Sequence, residues 1–513
     1  MNSDKIIIID FGSQYTKLIA RRIRDMNVYS EIVPFNVSEK IIKSPEVKAI
    51  IFSGGPSSVY DKKAPKIKWE LDSIDVPILG ICYGMQLLVE ISNGEIKSKN
   101  IGEYGNSLIS INDTSPLFNE VPDNINVWMS HGDQITKLDS NWDAIAHSEN
   151  NIISAIQNKS KPIYGVQFHP EVNHTTNGEK IISNFLFNIA KCNKNWTATN
   201  FIEKSLFEIN KIVDKNKVLC AISGGVDSAV VAVLLHKAIG KRLKCVFIDH
   251  GLLRKNEIDD VLSSLRDGLG ISINSYDYSK KFLSKLKNVK DPEKKRKIIG
   301  EEFIRAFEEI SNKIGNYKFL AQGTLYPDVI ESGAINNGAS DKIKSHHNVG
   351  GLPKDMQFDL IEPVRDLFKD EVRKVGKELK IPSFILNRHP FPGPGLAVRI
   401  LGKITEKRIK ILQDADNIFI RILKEKNEYH NIWQAFCVLI PIKTVGVMGD
   451  SRTYDNVIGL RAVTSMDGMT ADWYKMPNDV LSLCSNKIIN EVKGVNRVVY
   501  DITSKPPGTI EWE

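Results

Sequence analysis

The chain has 513 residues, of which 42% are hydrophobic and 26% are charged, and its formal net charge is +7 at pH 7. This length exceeds one ordinary core, so we expect two to four domains. No apolar run approaches the roughly eighteen residues that a membrane helix needs, and the start "MNSDKIIIIDFGSQ" holds too short an apolar run for a signal peptide. We therefore expect a cytoplasmic protein with no membrane partner.

Charge and cysteine content narrow the class of protein further. Residues 1–192 carry a net charge of −3 and residues 193–513 one of +10, so an anionic substrate such as a nucleotide is expected in the second part. A surplus of this size is also typical of a solvated surface. The six cysteines, at positions 82, 192, 220, 245, 437 and 484, show no metal-ligand spacing, and we interpret all but Cys82 as buried filler.

Residues 1–190 alternate short β-branched runs with helix-like stretches. The runs are "KIIIID", "AIIFSGG", "VPILGI" and "PIYGVQFHP", and the helical stretches lie near 14–26, 84–92 and 178–191. This alternation predicts a parallel sheet covered by helices. A second α/β pattern follows the polar segment 192–200, with a helical stretch over 200–213, the run "KVLCAIS", the turn "GGVDS" and the run "KCVFIDHG".

The pattern changes twice more toward the C terminus. Residues 331–355 are rich in Gly, Asn, Ser, Lys and His without a period, which predicts a long mobile loop. From about residue 388, a Pro/Gly turn precedes a predicted helix near 404–426 and the strand-like runs "AFCVLIPI", "TVGVM" and "NRVVYDIT". We predict an α/β fold with two doubly wound parallel-sheet catalytic domains, 1–192 and 193–387, followed by a smaller α+β domain, 388–513.

The stretch "GICYGMQLL" places Cys82 between glycines, after a strand-like run and before a predicted helix. This G-x-C-x-G pattern is typical of a nucleophile elbow, in which glycines permit a sharp turn and the thiol stands at a helix N-terminus. The positive end of the helix favours the thiolate, so Cys82 is a candidate nucleophile. A small buried side chain is the alternative interpretation of this pattern taken alone.

A nucleophile needs a base, and "GVQFHPEV" offers His169 with Glu171 two residues later. In an extended segment both side chains project to one side, so the carboxylate can orient the imidazole that deprotonates the thiol. The turn "FSGGPSS" offers backbone amides for an oxyanion at the end of another strand. We assign the amides of Gly54 or Gly55, together with that of Tyr83, to this oxyanion hole.

Taken together, "GICYGMQ", "SGGPSS" and "HPE" resemble class I glutamine amidotransferases. The resemblance implies that Cys82 forms a glutamyl thioester and releases ammonia. His131, in "MSHGDQI", competes with His169 for the role of base, but "SHGD" looks like the segment with which this family holds glutamine. The glutamine-binding residues implied by the resemblance are Gln86, Ser130, His131 and Asp133, with Asp133 near the substrate amine.

The stretch "LCAISGGVDSAVVAVLL" combines a strand, a Gly-Gly turn and a helix start, which together form an anion cradle of backbone N–H groups. It is not a Walker A loop, because G-x-x-x-x-G-K-[ST] occurs nowhere in the chain. S-G-G-x-D-S instead resembles the pyrophosphate loop of enzymes that split ATP into AMP and pyrophosphate. The resemblance implies that Asp227 faces Mg²⁺ and that the pyrophosphate is held by Ser223, Gly224, Gly225, Val226, Asp227 and Ser228.

Two more groups of polar residues are predicted at the carboxyl edge of the same sheet, where open α/β folds bind ligands. They are Asp249, His250 and Arg254 in "FIDHGLLRKNE", and Gln322, Gly323 and Asp328 in "AQGTLYPDVIES". A capping or surface role is an equally good interpretation of any one of them.

The C-terminal part contains three long stretches, "HPFPGPGLAVRILG", "TVGVMGDSRTYDNVIGLRAV" and the ending "SKPPGTIEWE". Together with the order of the two catalytic modules, they resemble the glutamine-hydrolysing GMP synthetase family, and the resemblance covers essentially the whole chain. The resemblance implies glutamine, ATP with Mg²⁺, and xanthosine 5′-monophosphate (XMP) as substrates and cofactor. XMP would be adenylated on O2 and then aminated by ammonia to GMP, with release of AMP and pyrophosphate. The C-terminal domain would form a homodimer and complete the XMP site.

The same resemblance implies that Arg254, Lys505 and Glu511 touch XMP, and Lys505 is a reasonable phosphate ligand on charge alone. For Arg399, a substrate role and an interface salt bridge are equally good interpretations. The loop over 331–355 looks like the lid of this family over the adenylation site, since Gly permits closure and Lys can meet phosphate charge. Its lid residues would be Lys342, Lys344, His346 and His347.

Three other functions fit parts of the sequence. An NAD synthetase-like amination keeps both modules but leaves "HPFPGPG" and "KPPGTIEWE" unexplained. A tRNA-modifying pyrophosphate-loop enzyme would use the basic half as an RNA surface but needs no glutaminase, so we expect no nucleic-acid partner. A catalytically inactive glutamine sensor would need a broken triad, whereas Cys82, His169 and Glu171 are all present.

Overall fold

A computed structural model describes residues 4–112, 114–331, 355–448, 451–465 and 470–513. The described residues form two compact units, the first ending at Asn200 and the second beginning at Phe201. The division into three domains, 1–192, 193–387 and 388–513, stays a prediction. Throughout the described ranges, no helix is both long and apolar enough to cross a membrane.

The first unit is built on a sheet with nine strands among the described residues. In chain order they are β1 Lys5–Asp10, β2 Tyr29–Pro34, β3 Val47–Phe52, β4 Ile78–Ile81, β5 Glu95–Ile111, β6 Asn124–Lys137, β7 Trp142–Ser148, β8 Ile153–Asn158 and β9 Ile163–Val166. Their order across the sheet is β2-β1-β3-β4-β9-β8-β7-β5-β6. The pairs from β2 to β9 are parallel. The pairs from β9 to β6 are antiparallel.

The parallel half confirms the predicted α/β class, and its inner strand β1 shows why the prediction worked. Residues Ile6 to Ile9 of β1 are all fully buried, as expected for a parallel strand covered on both faces. The antiparallel half was not predicted. Its strand β6 alternates exposed and buried residues, which is the period-2 signal of a strand with one solvated face.

Helices of the first unit separate these strands along the chain or follow the last of them. They are α1 Thr16–Asp25, α2 Glu39–Ile42, α3 Tyr83–Ile91 and α4 Gly178–Ser183, and a π-helical segment, Asn184–Ile189, continues α4. The helical stretches predicted near 14–26, 84–92 and 178–191 therefore correspond to α1, α3 and α4 with its continuation. Helix α5, Ala198–Val213, carries the chain into the second unit.

The second unit begins with a fully parallel sheet. Its strands are β10 Val218–Ile222, β11 Leu243–Asp249, β12 Ile273–Asp277, β13 Phe319–Ala321 and β14 Asp359–Ile361, in the order β12-β11-β10-β13-β14. The helices around it are α6 Val226–Ile239, α7 Glu257–Leu269, α8 Ser279–Lys285, α9 Pro292–Ile314, α10 Tyr326–Glu331, α11 Lys369–Glu378 and α12 Ser383–Leu386. The order reverses beside β10, so the carboxyl ends of β10 and its neighbours form the edge at which such sheets bind ligands.

The C-terminal part of the second unit confirms the predicted α+β pattern. Its strands are β15 Gln434–Met448, β16 Ser451–Thr464, β17 Asp472–Trp473 and β18 Val495–Tyr500, and its helices are α13 Glu406–Glu425 and α14 Asn478–Glu491. Strand β16 is antiparallel to β15 and β17 and parallel to β18. One hydrophobic core runs without interruption from Leu219 of the parallel sheet to Phe419 of α13 and Ile458 of β16.

Candidate active sites

Cys82 lies in a sharp turn between strand β4 and helix α3. Its φ of 53° and ψ of −108° are a conformation that non-glycine residues rarely adopt. The flanking glycines are required by close packing. A Cβ on Gly80 would lie 2.6 Å from the Met85 backbone nitrogen, and one on Gly84 would lie 2.4 Å from the Phe52 carbonyl oxygen. The glycines therefore let α3 pack directly on the sheet, with Cys82 at its N-terminus.

His169 and Glu171 lie beside this thiol. His169 Nδ1 is 2.8 Å from Glu171 Oε1, and the imidazole lies close enough to the Cys82 thiol to interact with it. Burial alone would lower the pKa of His169, but the Glu171 carboxylate and the Cys82 sulfur outweigh it and hold this pKa well above its usual value. The structure thus brings the three predicted triad residues together and favours an imidazolium next to the thiol.

The competing base, His131, is committed to other partners. Its Nδ1 lies 2.9 Å from the Asp133 carbonyl oxygen, and its Nε2 lies 3.4 Å from Glu103 Oε2. Burial lowers the pKa of His131, so this imidazole is held neutral. Because His169 lies beside the thiol and the Nδ1 of His131 is engaged with the Asp133 carbonyl oxygen, the geometry favours His169 as the base.

The predicted glutamine-binding residues surround the same turn. Gln86 is buried in α3, and its Nε2 donates to the Asp133 carbonyl oxygen at 3.1 Å and to Gln167 Oε1 at 3.2 Å. The Ser130 carbonyl oxygen lies 3.6 Å from Cys82 Sγ. These contacts fix the backbone of the β6 segment against the elbow.

The predicted oxyanion donors are also close. A Cβ on Gly54 would lie 3.1 Å from His169 Cε1, and one on Gly55 would lie 3.2 Å from Tyr83 Cγ. Among the described residues, no protein acceptor takes a hydrogen bond from the amides of Gly54, Gly55 or Tyr83. Such unpartnered amides next to a nucleophile can stabilise a developing oxyanion.

The second predicted site lies where β10 meets α6. Ser228 Oγ accepts hydrogen bonds from the Ser223 backbone nitrogen at 3.3 Å and from Ser223 Oγ at 3.2 Å, and donates to the Gly225 carbonyl oxygen at 3.0 Å. Gly224 has a φ of +77°, which favours glycine at this position. These bonds fix the conformation of the loop in front of the first turn of α6, where Val226 and Asp227 lie.

Asp227 has one oxygen paired and one without a partner. Its Oδ2 forms an ion pair with Lys369 Nζ at the start of α11, and its Oδ1 is buried without a hydrogen bond. Gly323, after β13, packs on Asp227, since a Cβ there would lie 3.1 Å from Asp227 Cβ. The structure therefore brings Gly323 to the loop. It also places Lys369 at this site, a residue that was not predicted from the sequence.

Other polar residues predicted at this edge have local roles. Asp249 Oδ1 accepts from the Gly251 backbone nitrogen at 2.8 Å, and Asp328 Oδ2 accepts from that of Leu325 at 2.9 Å. His250 Nδ1 accepts from the Leu252 backbone nitrogen at 3.0 Å, and burial lowers its pKa to about 4. These three contacts fit the capping interpretation.

Arg254 and Arg399 lie beside the Phe391 ring, and Arg399 joins this cluster to Glu511. The guanidinium carbons of Arg254 and Arg399 lie 5.2 Å and 5.1 Å from the centre of the Phe391 ring. Glu511 accepts two hydrogen bonds from Arg399, at 3.0 Å and 2.7 Å, and one from Gln434 Nε2 at 2.8 Å. Arg399 thus forms its salt bridge within the chain, with Glu511. Gln434 is a second site residue that was not predicted from the sequence.

The remaining predicted residues lie apart from this cluster or outside the described part. The backbone of Lys505 forms a two-residue bridge with Ala471, at 2.7 Å and 3.0 Å. The four proposed lid residues, Lys342, Lys344, His346 and His347, lie outside the described residues.

Three family models match this chain. Residues 7–189 match the glutamine amidotransferase class-I model, residues 197–306 match the NAD synthase model, and residues 421–512 match the GMP synthase C-terminal domain model.

Curated relatives match along the full length. A protein of Brachyspira hyodysenteriae named GMP synthase (glutamine-hydrolyzing) is 57% identical and covers 100% of this chain and 99% of its own length. A protein of the same name from Clostridium tetani is 52% identical, with 100% of both chains covered. A solved glutamine amidotransferase structure from Thermotoga maritima is 21% identical over 41% of this chain and 86% of its own, with a TM-score of 0.29. From the full-length identity to the curated relatives, the chain belongs to the family of glutamine-hydrolysing GMP synthases.

Proposed function

We propose that this protein converts XMP to GMP with ammonia that it releases from glutamine, using ATP, which it splits into AMP and pyrophosphate. The observation that carries the proposal is the full-length identity to proteins named GMP synthase (glutamine-hydrolyzing). The match of residues 197–306 to the NAD synthase model is also compatible with the alternative acceptor, that of an NAD synthetase-like amination. The match of residues 421–512 to the GMP synthase C-terminal model favours XMP.

In the first unit, Cys82 is the proposed nucleophile. Its thiolate attacks the side-chain amide carbon of glutamine, and the resulting oxyanion is stabilised by the amides of Tyr83 and of Gly54 or Gly55. His169 then gives its proton to the leaving nitrogen, so that ammonia departs and a glutamyl thioester remains. Water, deprotonated by His169, hydrolyses the thioester to glutamate and regenerates the thiol.

Glutamine recognition is proposed for Gln86, Ser130, His131 and Asp133. Support comes from the hydrogen bonds that join Gln86 and His131 to the Asp133 carbonyl oxygen. They fix the backbone beside the thiol and leave the Asp133 carboxylate as a candidate partner for the substrate amine.

In the second unit, the loop from Ser223 to Ser228 is proposed to hold the pyrophosphate of ATP. O2 of XMP attacks the α-phosphorus, pyrophosphate leaves, and an adenylated XMP forms. Ammonia then attacks C2, and AMP leaves with the former O2. The backbone amides of the loop and the ammonium of Lys369 suit the negative charge on the departing pyrophosphate.

A magnesium ion fits the residues of this loop. Asp227 Oδ1 is a buried carboxylate oxygen without a hydrogen bond, which is a suitable ligand for a hard cation. Within the described ranges, no group of three or more His, Cys, Asp or Glu residues could hold a metal ion. Mg²⁺ is usually bound through one or two carboxylates and substrate phosphates, where it neutralises phosphate charge.

XMP binding is proposed for Arg254, Lys505 and Glu511, with a lid carrying Lys342, Lys344, His346 and His347. Support for Arg254 and Glu511 is that Arg254 and Arg399 both lie beside the Phe391 ring and that Arg399 donates to Glu511. Arg399 and Gln434 hold the Glu511 carboxylate.

The free state of all six cysteines suits the proposed cytoplasmic location.

The test is to measure GMP and AMP formed from XMP, Mg-ATP and glutamine, with each component omitted in turn. The proposal expects equal amounts of GMP and AMP only in the complete mixture. Deamido-NAD replaces XMP in a parallel reaction as the control for the alternative acceptor. Cleavage of ATP to AMP without GMP formation, or preference for deamido-NAD, would contradict the proposal.

A homodimer through the C-terminal domain is also part of the proposal. Its support is an apolar face on the β15–β16 hairpin, where Val445, Val447 and Tyr454 are 54%, 73% and 59% exposed. Val445 and Tyr454 are register partners, and Val447 is two residues from Val445, so the three share one face.

The measurement is sedimentation velocity of the full chain. We expect a dimer and, for Val447→Lys, a dissociation constant at least about tenfold larger, because a lysine would be desolvated at the contact. Phe207→Lys, at a 71% exposed position in α5, is the control. A dimer that is unaffected by Val447→Lys would exclude this face.

A further inference from the structure

One buried carboxylate, that of Glu257, joins two parts of the second unit that the proposed reaction uses. Glu257 begins α7 and is 3% exposed. Its Oε2 accepts a hydrogen bond from the Arg254 backbone nitrogen at 3.0 Å, and its Oε1 lies 2.9 Å from Arg388 Nη2. Arg388 Nη1 in turn donates to the Gly224 carbonyl oxygen at 3.0 Å. A continuous chain of three hydrogen bonds thus runs from Arg254 to the pyrophosphate loop.

At the loop end, Arg388 acts on a peptide group with little room to move. A Cβ on Gly224 would lie 2.4 Å from Val261 Cγ2 and 3.3 Å from Arg388 Nη1. Val261 is buried in α7 one turn after Glu257. Because a peptide group is planar and trans, holding the Gly224 carbonyl oxygen on one side sets the direction of the Gly225 N–H on the other. That N–H donates to Ser223 Oγ at 3.4 Å in this structure, and it is one of the amides proposed to meet the pyrophosphate instead.

At the other end, Arg254 is fixed on both its backbone and its side chain. Its Nε lies 3.1 Å from Asp416 Oδ2, and its Nη2 donates to the Ala435 carbonyl oxygen at 3.1 Å. The Leu253 carbonyl oxygen next to it accepts from Gln413 Nε2 at 2.8 Å. The turn that carries Arg254 is therefore anchored to the C-terminal part of the unit, and Glu257 is its link to the loop.

We propose that Glu257 and Arg388 are positioning residues that set the pyrophosphate loop relative to Arg254, so that binding of ATP and binding of XMP are energetically coupled. This inference rests on the proposed function. The planar guanidinium of Arg388 holds two acceptors in one fixed geometry, and both oxygens of Glu257 are used, so movement at either end is transmitted to the other. A buried ion pair of this kind is weak evidence for a role in stability alone.

The coupling is measured by binding to the full chain. The probe is α,β-methylene-ATP, which cannot release pyrophosphate, titrated calorimetrically with Mg²⁺ in the presence and absence of saturating XMP. For the unsubstituted protein we expect XMP to change the dissociation constant of the probe by about fivefold or more, a typical coupling between two sites. By reciprocity, the probe changes the dissociation constant of XMP by the same factor.

Two conservative variants test the residues. Arg388→Lys keeps the positive charge but loses the planar fork, and Glu257→Gln keeps the shape but can accept from only one of its two partners. In both we expect the coupling factor to fall to within about twofold of one, with each ligand alone bound within about threefold of its original affinity. The control is Lys255→Gln. Lys255 lies on the same turn as Arg254 and forms an ion pair with Asp414 of α13, and its loss should leave the coupling unchanged.

Three outcomes would overturn the proposal. These are absence of coupling in the unsubstituted protein, retention of coupling in both variants, and loss of the folded state in both variants, which would make the pair structural. If only Arg388→Lys fails to fold, Glu257→Gln decides. Failure of the unsubstituted protein to form GMP from XMP and ammonia would instead contradict the proposed function, because coupling is measured by binding alone.

Discussion

At Cys82 a single residue combines backbone strain, burial and a charged neighbour. The side chain is 5% exposed, its φ is 53°, and its partner His169 is hydrogen-bonded to a fully buried carboxylate. A strained conformation of this kind costs about 1–3 kcal/mol and persists only where the surroundings impose it. Here the strain directs the thiol toward His169 and the unpartnered amides of the proposed oxyanion hole.

Replacing Glu171 by glutamine should make the thiol less reactive at neutral pH. Without the carboxylate, burial dominates and the pKa of His169 falls, so the imidazole is neutral and no longer stabilises the thiolate. We expect the alkylation rate of Cys82 by iodoacetamide at pH 7 to fall by about tenfold or more. The alkylation rate is measured from pH 5 to 9, and an unchanged rate profile would contradict the role of Glu171.

Replacing Asp227 by alanine should stop AMP formation with either glutamine or ammonia as nitrogen source. The change removes the proposed magnesium ligand and leaves Lys369 without its ion-pair partner. We expect a fall of about a hundredfold or more in the rate of AMP release, measured by chromatography. Asp259→Ala, at an exposed position in α7, is the control, and a normal rate for Asp227→Ala would refute the metal role.

Helix α3 is the element whose packing determines the first site. Gly84 lets it approach strand β3, and a methyl group there would collide with the Phe52 carbonyl oxygen and Cβ, at 2.4 Å and 2.6 Å. The helix can accommodate such a group only by moving away from the sheet, and its N-terminal residue Cys82 would move with it.

Gly84→Ala should therefore affect both stability and the reactivity of the thiol. We expect a loss of about 1–3 kcal/mol in the free energy of unfolding, the usual cost of overpacking, together with slower alkylation of Cys82. Chemical denaturation gives the first quantity. Gly132→Ala is the control for stability, since its Cβ would meet only Tyr104 Oη at 3.4 Å. Equal stability of the two variants would argue against the collision.

Elements formed by local sequence were predictable, and contacts between distant segments were not. The turn of Cys82 and the pyrophosphate loop each combine a strand, a glycine turn and a helix within about ten residues, so periodicity and turn chemistry reveal them. Lys369 meets Asp227 across 142 residues and Gln434 meets Glu511 across 77, and no local pattern encodes such pairs. The antiparallel half of the first sheet has one local signal in the sequence, the alternation of exposed and buried residues in β6.

Over the whole molecule, two units are proposed to share the reaction. Cys82→Ala should abolish GMP formation from glutamine and leave formation from added ammonium salt within about twofold, because the nucleophile serves only ammonia release. Cys192→Ala, a buried thiol in the same unit, is the control. The measurement is the GMP rate with each nitrogen source, and loss of both activities would contradict the division of labour.

Within the second unit, the shared core predicts cooperative unfolding. Phe419 is fully buried in α13 and belongs to the core that also contains Leu219 of β10. Phe419→Ala should cost about 3–5 kcal/mol, and hydrogen exchange should accelerate in β10 and β11 as well as in β16. The exposed Phe207→Ala is the control. Faster exchange confined to β16 would mean that the two sheets unfold separately.

Lys295 links this core to the order in which the chain is synthesised. Its side chain is fully buried, donates to the carbonyl oxygens of Ala397 and Ile400 at 3.1 Å and 2.8 Å, and pairs with the carboxylate of Glu513. The lysine and that carboxylate are 218 residues apart. A ribosome adding about 5–20 residues per second needs roughly 10–45 s for this distance, and during that time Lys295 lacks the Glu513 carboxylate with which it is paired when buried. Helix α9 therefore completes its packing only after the chain has been translated through residue 513.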